Sequence, residues 1–582
     1  MKRNHSSSSW QIGRSHSRAL IGRDSECETL RGLLTTSELF FPPGEHSSTT
    51  NRAVPLDTQR RPQCVLLMGE AGIGKTRLAE DVSQAAQRRD WTVLWSRSYT
   101  QEGSIPYRLW IELLRSALFT HEQSIYQDNQ TTRPGEQTSR QRQTSNQGQI
   151  SRQGEQTIYQ GDRKGTPLLD TSYAPLAVLL PELYDMLPQK MPQPVSLFPE
   201  QEQQRLREAV LAFLRAICEE GPLLLVLDDL QWADTSSCEL LAYLVRRLSG
   251  FPVLFVGTCR ENELASNAPL RTLIAHMQRE HTITTLSLAP LTAQQVSRMV
   301  AHLPKTMVQY IATQAAGNPF FAEELAHSIG TVLDFQSESQ QSEASARLPQ
   351  TITAALASRM GKLSAPCQQL LANTAVLGGS FAFDLVCSIE LANTPPTDED
   401  AVLDLLDEAL QAGVLTEEGR GMQITYSFWH PLVVSHLYEQ LSATRRASLH
   451  RRVATILQSL APRREEARAA TVTYHLVAGG AQSSKIAHYA EVAANSAYAL
   501  SAYPEAEKYY RLVVEHIHAN TADERVHLAF ILERLAECMM VRGNFEEARH
   551  LYERVLEERH TFSLRTSHSD TVYEAQIDAL LW

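Results

Sequence analysis

The first chemistry in this chain lies in Gly69-Glu70-Ala71-Gly72-Ile73-Gly74-Lys75-Thr76, which follows the apolar run Cys64-Val65-Leu66-Leu67-Met68. The spacing fits G-x-x-x-x-G-K-[ST], and the context predicts a buried strand, a glycine-rich turn and a helix beginning near Arg77. Gly69, Gly72 and Gly74 let successive backbone N–H groups curl around phosphate oxygens, and the helix N-terminus adds partial positive charge. Lys75 would reach β- and γ-phosphates, the Thr76 hydroxyl would ligate Mg²⁺, and Arg77 would stand beside them. The expected ligand is ATP or ADP with Mg²⁺.

A second group of candidates sits downstream. Pro222 to Asp229 is an apolar run closing on two carboxylates, and Val253 to Thr258 is another, closing on Cys259-Arg260. Asp228 would hold Mg²⁺, directly or through water, Asp229 would orient or deprotonate an attacking water, and Arg260 would sense or neutralise the phosphate. Read without the upstream loop, Asp228-Asp229 is better taken as an acidic turn, with Trp232-Ala233-Asp234-Thr235 capping the next helix, because such turns are common. With the loop, the catalytic reading has the structural context it needs.

Such residues meet only if particular elements position them. All-apolar strands belong to a parallel sheet covered on both faces, and ligand groups in such sheets gather at the carboxyl ends of the strands. The strands expected are Cys64–Met68, Trp91–Ser96, Pro222–Asp229 and Val253–Thr258, with helices over Tyr107–Leu114, Gln203–Ile217 and Leu240–Leu248.

The totals fit that picture. A chain of 582 residues suggests about three or four domains. Its 43% hydrophobic and 21% charged content is that of ordinary globular protein. A net charge of −12 argues against nonspecific attraction to nucleic acid. The eight cysteines show no metal-ligand spacing, so buried reduced thiols in a cytoplasmic protein are expected. The basic start Met1-Lys2-Arg3 is followed by serines rather than an apolar segment, and no run approaches the roughly 20 apolar residues of a membrane span.

Composition divides the rest. Residues 1–18 read as a disordered N-terminus and 42–63 as a loop, and 121–166 as a disordered Gln/Ser/Thr-rich insertion in an ATPase domain covering 19–290. Residues 291–345 read as helical with a polar loop over 334–347, and 346–455 as a further unit. Within the latter, Ser364–Leu377 and Val402–Ala412 are amphipathic helices, and Gly413–Thr416 with Gln423–Phe428 form a hairpin turning at 417–421. The cluster Arg445, Arg446, Arg451 and Arg452 reads as a solvated helix face or a salt-bridge set. From 456 to 582 the pattern is helical. Tyr503, Ala506, Tyr510 and Val513 recur as Phe545, Ala548, Tyr552 and Val555, 42 residues on. That suggests tetratricopeptide-like repeats with a lengthened link, the unit being about 34 residues. The set is expected to be incomplete, with Leu580-Leu581-Trp582 continuing into a longer relative or packing on a partner.

Taken together, these motifs resemble the STAND class of signal-transduction ATPases, in the branch found in large LuxR-type bacterial regulators and related origin-recognition-like ATPases. Matching stretches are Ile21-Gly22-Arg23-Asp24-Ser25-Glu26, the phosphate loop, Leu225 to Asp234, and Gly257-Thr258-Cys259-Arg260. Ala316 to Leu325 and Phe428-Trp429-His430-Pro431-Leu432-Val433 complete the set, which covers about 20–450. The resemblance implies that Arg23 closes over the nucleotide, that Pro319 packs near adenine, and that His430 reads the β-phosphate of ADP. It also implies a helical lid over 291–345 and a winged-helix domain over 346–455. Pro431 stands where the family usually carries Asp.

The fold expected is therefore a multidomain chain: an α/β P-loop NTPase with parallel sheet, a helical lid, a winged helix, and all-α helical repeats. The function expected is an ATP-binding, slowly hydrolysing switch, a weak ATPase whose ADP/ATP exchange changes conformation or assembly. Its expected partners are proteins bound through the repeats, with scope for a nucleotide-dependent homo-oligomer; no DNA-binding module is evident. Two rivals stand beside it. One is an origin-recognition-like ATPase doing mechanical or DNA-loading work, and the other a repeat scaffold with a structural nucleotide site.

Overall fold

The computed structural model describes residues 20–38, 64–99, 105–118, 171–183, 198–265, 267–333, 352–391, 398–420, 423–459 and 465–560. The segments expected at 1–18, 42–63, 121–166 and 334–347, and the Leu580–Trp582 end, lie outside the described residues.

Five strands, β1 (Cys64–Gly69), β2 (Thr92–Arg97), β3 (Leu223–Asp228), β4 (Val253–Arg260) and β5 (Ile283–Ser287), form one parallel sheet in the order β2-β3-β4-β1-β5. The apolar runs are strands because both faces are covered. Leu223, Leu225 and Leu227 face one core cluster, and Leu224 and Val226 face the other. All five are at most 1% exposed. Burying each side chain contributes roughly 1.5–3 kcal/mol relative to leaving it in water. Helices Asp24–Glu38 and Lys75–Gln87 cover one face. Pro199–Glu220 and Thr235–Arg247 cover the other, joined by a helix over 108–118.

Several boundaries differ from the sequence reading. Strand β2 runs one residue further, to Arg97, because Arg97 pairs in register with Asp228. Asp229 lies just beyond β3, in the left-handed region at φ 58°. The helix expected from Gln203 begins at Pro199, where proline suits a first turn whose N–H groups have no helical acceptor.

Residues 293–333 form three helices around Val296, Ile311, Phe321 and Leu325. The next region runs helix Ala365–Thr374, strand β6 (Ser380–Ala382), helices Phe383–Leu391 and Glu399–Gln411, then β7 (Leu415–Arg420) and β8 (Gln423–Phe428). The hairpin expected here is tighter than read: Arg420 pairs with Gln423, so 417–420 belong to β7. The short strand β6, which pairs with β8, was not foreseen. Of the expected arginine cluster, Arg451 Nη1 donates to the Gly479 carbonyl (2.6 Å) and Arg446 lies over the Tyr438 ring (5.1 Å).

Helices Pro431–Gln440 and Ala443–Ser459 follow β8, and then come five more, Glu465–Ala478, Ser483–Ala499, Tyr503–His516, Ala522–Val541 and Phe545–His560, each of the five packed on the next. At the recurring positions Ala506, Tyr510 and Val513 are buried, as are Ala548, Tyr552 and Val555. Tyr503, however, is buried where Phe545 is 54% exposed. The apolar core of these helices is continuous with that under the parallel sheet. Tyr503 Oη donates to the Pro199 carbonyl (2.9 Å), and Gln203 Nε2 to that of Ser501 (3.3 Å). All eight cysteines are free and buried. Among the described residues no helix is long and apolar enough to cross a membrane.

Candidate nucleotide site

Strand register assembles the site. Gly69 pairs with Arg260 and Arg97 with Asp228, so the phosphate loop, both carboxylates and two arginines share the carboxyl edge of the sheet. Strand β4 lies between β1 and β3, and its Thr258 therefore reaches the carboxylate beside it.

Gly74, at φ 99°, turns the chain into helix Lys75–Gln87. Lys75 is 6% exposed, and its Nζ donates to the carbonyls of Gly69 (2.9 Å) and Glu70 (2.8 Å). Burial pushes its pKa below the usual lysine value, with the Asp229 charge pulling it back. Carbonyl oxygens are weaker acceptors than phosphate oxygens, so this ammonium suits an anionic ligand.

Three successive carbonyls of the loop are gripped from outside it. Asn318 Nδ2 donates to Ala71 O (3.0 Å), the Phe320 amide to Gly72 O (3.3 Å), and Arg23 Nη2 to Ile73 O (3.1 Å). Gly72 is needed here: it sits at φ 78°, and a Cβ would lie 2.8 Å from that of Phe320. Gln295 Nε2 adds a bond to Gly22 O (3.4 Å), tying the segment before Arg23 to the helices after β5.

The carboxylates are densely bonded. Asp228 Oδ1 accepts from Thr258 Oγ1 (2.6 Å) and Thr76 Oγ1 (3.0 Å). Its Oδ2 pairs with Arg97 Nη2 at 3.0 Å. Burial pushes the Asp228 pKa up, against the pull of Arg97. Asp229 Oδ2 lies 3.3 Å from Arg97 Nε, and Oδ1 accepts from Gln231 Nε2 (2.8 Å) and lies 3.7 Å from Arg260 Nε. The Asp229 amide donates to Thr258 Oγ1 (2.8 Å). A non-glycine residue in left-handed backbone costs about 1–3 kcal/mol and persists only where its surroundings impose it. Arg260 is fixed by Glu263 (2.6 Å) and by the Trp232 ring (4.6 Å).

Mg²⁺ is held through one or two protein oxygens together with phosphates and water. Thr76 and Asp228, already in contact, supply that pair of hard oxygens. Among the described residues no group of three or more His, Cys, Asp or Glu could form an all-protein metal cage. The residues present thus fit a nucleotide-bound divalent cation.

Gly69, Gly72, Gly74, Lys75, Thr76, Asp228, Asp229, Arg260 and Arg23 are all brought together. Arg77 is turned to Glu80 (3.3 Å). Pro319 starts helix Pro319–Leu333 between the two residues that grip Ala71 and Gly72. His430 caps helix Pro431–Gln440, its Nδ1 accepting from the Leu432 amide (3.1 Å), and its ring stacks on Phe320 with centroids 3.9 Å apart. The structure therefore joins His430 to the phosphate loop through Phe320. Sequence reasoning missed Arg97, Thr258 and Gln231 as site residues. The latter two lay inside motifs already singled out, whereas Arg97 had no local signal.

The parallel sheet, the glycine-rich loop and the acid-ended strand define the class: an α/β P-loop ATPase core followed by a largely helical C-terminal region. Residues 55–256 match the family described as AAA ATPase domain, so the chain contains a nucleotide-binding ATPase module of the AAA type. An uncharacterized protein of Rhizobium meliloti (strain 1021) is 24% identical over 263 residues, 44% of this chain. The match spans 24% of that relative's length. Among solved structures, the chain is similar to a STAND protein with a tetratricopeptide repeat sensor from Pyrococcus horikoshii. That similarity has a TM-score of 0.40 at 13% identity, over 89% of this chain and 67% of that one. It is also similar to Cdc6p from Pyrobaculum aerophilum, with a TM-score of 0.28 at 13% identity over 74% and 98% of the two chains.

Proposed function

We propose that the chain is a nucleotide-controlled regulatory switch that binds ATP or ADP with Mg²⁺ and hydrolyses ATP slowly. The observation that carries this reading is the grip on Ala71, Gly72 and Ile73 by Asn318, Phe320 and Arg23. A loop that holds phosphates and is itself held by a separate helical unit couples nucleotide state to the position of that unit. Lys75 would bind phosphate oxygens, Thr76 and Asp228 would ligate Mg²⁺, and Mg²⁺ would neutralise phosphate charge. Asp229 would orient the attacking water and Arg260 would sense the terminal phosphate.

Residues 291–345 would act as lid and 346–455 as a winged helix, a reading supported by the order helix, β6, two helices, β7, β8. Phe320 and His430 would then carry nucleotide state from loop to winged helix. The C-terminal helices would be tetratricopeptide-like units serving protein partners, and the buried free cysteines favour a cytoplasmic setting.

The test is to denature the freshly purified protein and identify the nucleotide released, beside a Lys75→Ala control. Near-stoichiometric ADP in the wild type, lost in the control, supports a closed switch. An empty site with brisk multiple turnover would sink the switch in favour of a working ATPase.

A further inference from the structure

Arg97 has no place in the reading above, yet it is the cation nearest both carboxylates. Its Nη2 lies 3.0 Å from Asp228 Oδ2 and its Nε 3.3 Å from Asp229 Oδ2. The backbone sets up the contact: Arg97 pairs with Asp228 in register, and the Ser98 amide donates to Asp228 O (3.0 Å). The register sets the Arg97 backbone beside Asp228, while the side chain can still swing without unpairing β2. Two residues on, the Tyr99 ring lies against the turn before β6, since a Cβ on Gly379 would sit 2.9 Å from Tyr99 Cδ1.

We infer that Arg97 is the resident counter-cation of the acidic pair, and that Mg²⁺ binding at Asp228 competes with it. The inference rests on the nucleotide-switch reading and specifies how its metal site is regulated. With Thr258 and Thr76 on Oδ1 and Arg97 on Oδ2, Asp228 has no carboxylate oxygen without a donor. Each carboxylate oxygen has two lone pairs, but Mg²⁺ at about 2.1 Å draws electron density from Asp228 and weakens the bonds its oxygens accept. A guanidinium 3 Å away also repels a divalent ion in a site where burial leaves little screening. Arg97 thus sets a threshold. Mg²⁺ alone gains too little from Asp228 and Thr76 to displace it, whereas Mg²⁺ carried by phosphate oxygens brings its own compensating anions. The guanidinium then keeps Asp229, its second partner. A phosphate-binding arginine predicts the opposite behaviour, because its loss would weaken nucleotide with or without metal.

The experiment titrates Mg²⁺ into full-length protein at fixed N-methylanthraniloyl-ADP, for wild type, Arg97→Gln and Arg97→Lys, with thermal melting in Mg²⁺ alone as a nucleotide-free readout. The expected result is a half-maximal Mg²⁺ concentration roughly tenfold lower in Arg97→Gln, the loss of one charged hydrogen bond. Arg97→Lys should fall between, as a point charge cannot span both carboxylates. Mg²⁺ alone should raise the melting temperature of Arg97→Gln and leave wild type unchanged. An unchanged or higher Mg²⁺ requirement in Arg97→Gln would overturn the inference while leaving nucleotide binding intact. Failure of wild type to bind the analogue at all would sink the switch reading and this inference together. If Arg97→Gln does not fold, Arg97→Lys decides alone, by a shift of about threefold in the same direction or none.

Discussion

Glu505 caps the helix that follows the acidic strand, accepting from the amides of Thr235 (2.8 Å) and Ser236 (3.3 Å) across some 270 residues of sequence. Its other oxygen pairs with the Ser236 hydroxyl. Beside it Asp234 accepts from the Ser237 amide (2.7 Å) and the Tyr107 amide (3.2 Å). Two carboxylates thus satisfy the orphan donors of one helix N-terminus, and one of them belongs to the C-terminal helices.

Glu505→Ala should release that cap and cost about 2–4 kcal/mol, since two amides and a hydroxyl lose their partner in a buried place. Glu505→Gln, which keeps a carbonyl acceptor, should cost less. Urea unfolding, with limited proteolysis to report detachment of residues 465–560, checks both.

The same contact predicts a pH dependence. Burial, with the Asp234 charge adding to it, pushes the Glu505 pKa up from 4.5 to about 8, so the docked state takes up a proton. Docking is then strongest below about pH 4.5 and is lost progressively as pH rises through about 8. Proteolytic release of the C-terminal helices should accelerate over that window in wild type. Its pH dependence should flatten in Glu505→Gln.

Asp229→Asn should leave nucleotide affinity nearly unchanged and slow hydrolysis about 10²–10⁴-fold, the usual contribution of a positioned base. Single-turnover phosphate release, measured beside fluorescent-nucleotide affinity, separates the two effects. Equal loss of binding and turnover would instead make Asp229 a binding residue.

Phe320→Leu keeps bulk at the loop but removes the platform under His430 and the neighbouring Trp429 ring, 5.0 Å away. The expected cost is about 1 kcal/mol of stability, in line with an aromatic pair. The more telling outcome concerns coupling. Nucleotide-induced protection of amides in 423–440, read by hydrogen exchange, should fall while binding persists.

Arg359→Ala should be more damaging, costing about 3 kcal/mol or more in thermal or denaturant unfolding, because Glu324 is 3% exposed and loses its 2.8 Å partner. The same guanidinium donates to the carbonyls of Ala412 and Gly413 (2.8 and 2.9 Å) and lies over Trp429 (4.6 Å). Arg359→Lys should recover only part of the loss, since one ammonium cannot serve all these partners. Restoration of full stability by Lys would discount the carbonyl bonds.

The phosphate loop and the strand ending at Asp228 were legible because each is a contiguous pattern whose physics is local. Arg97 was not, because its role follows from pairing with Asp228, a relation between strands separated by more than a hundred residues. Glu505 stayed hidden for the same reason, its partners lying in another region of the chain. His430 was legible as a residue of interest, but its capping bond and its stacking on Phe320 depend on packing that spacing does not encode. The exposure of Phe545 where Tyr503 is buried shows a sequence echo without an equal environment.

Clamping the carbonyls of Ala71, Gly72 and Ile73 fixes three consecutive peptide planes by contacts within the chain. Much of the ordering entropy that a glycine-rich loop would otherwise lose on binding has already been lost in folding. Arg23 holds Ile73, but at Ala71 and Gly72 that advantage is on loan from Asn318 and Phe320 at the start of helix Pro319–Leu333. Anything that draws them away lets the peptide planes rotate, so the cradle softens as it opens. On the switch reading, escape of the ligand and departure of the cover would be two views of a single event, and by reciprocity a tightly held phosphate would resist the force that pulls the cover off.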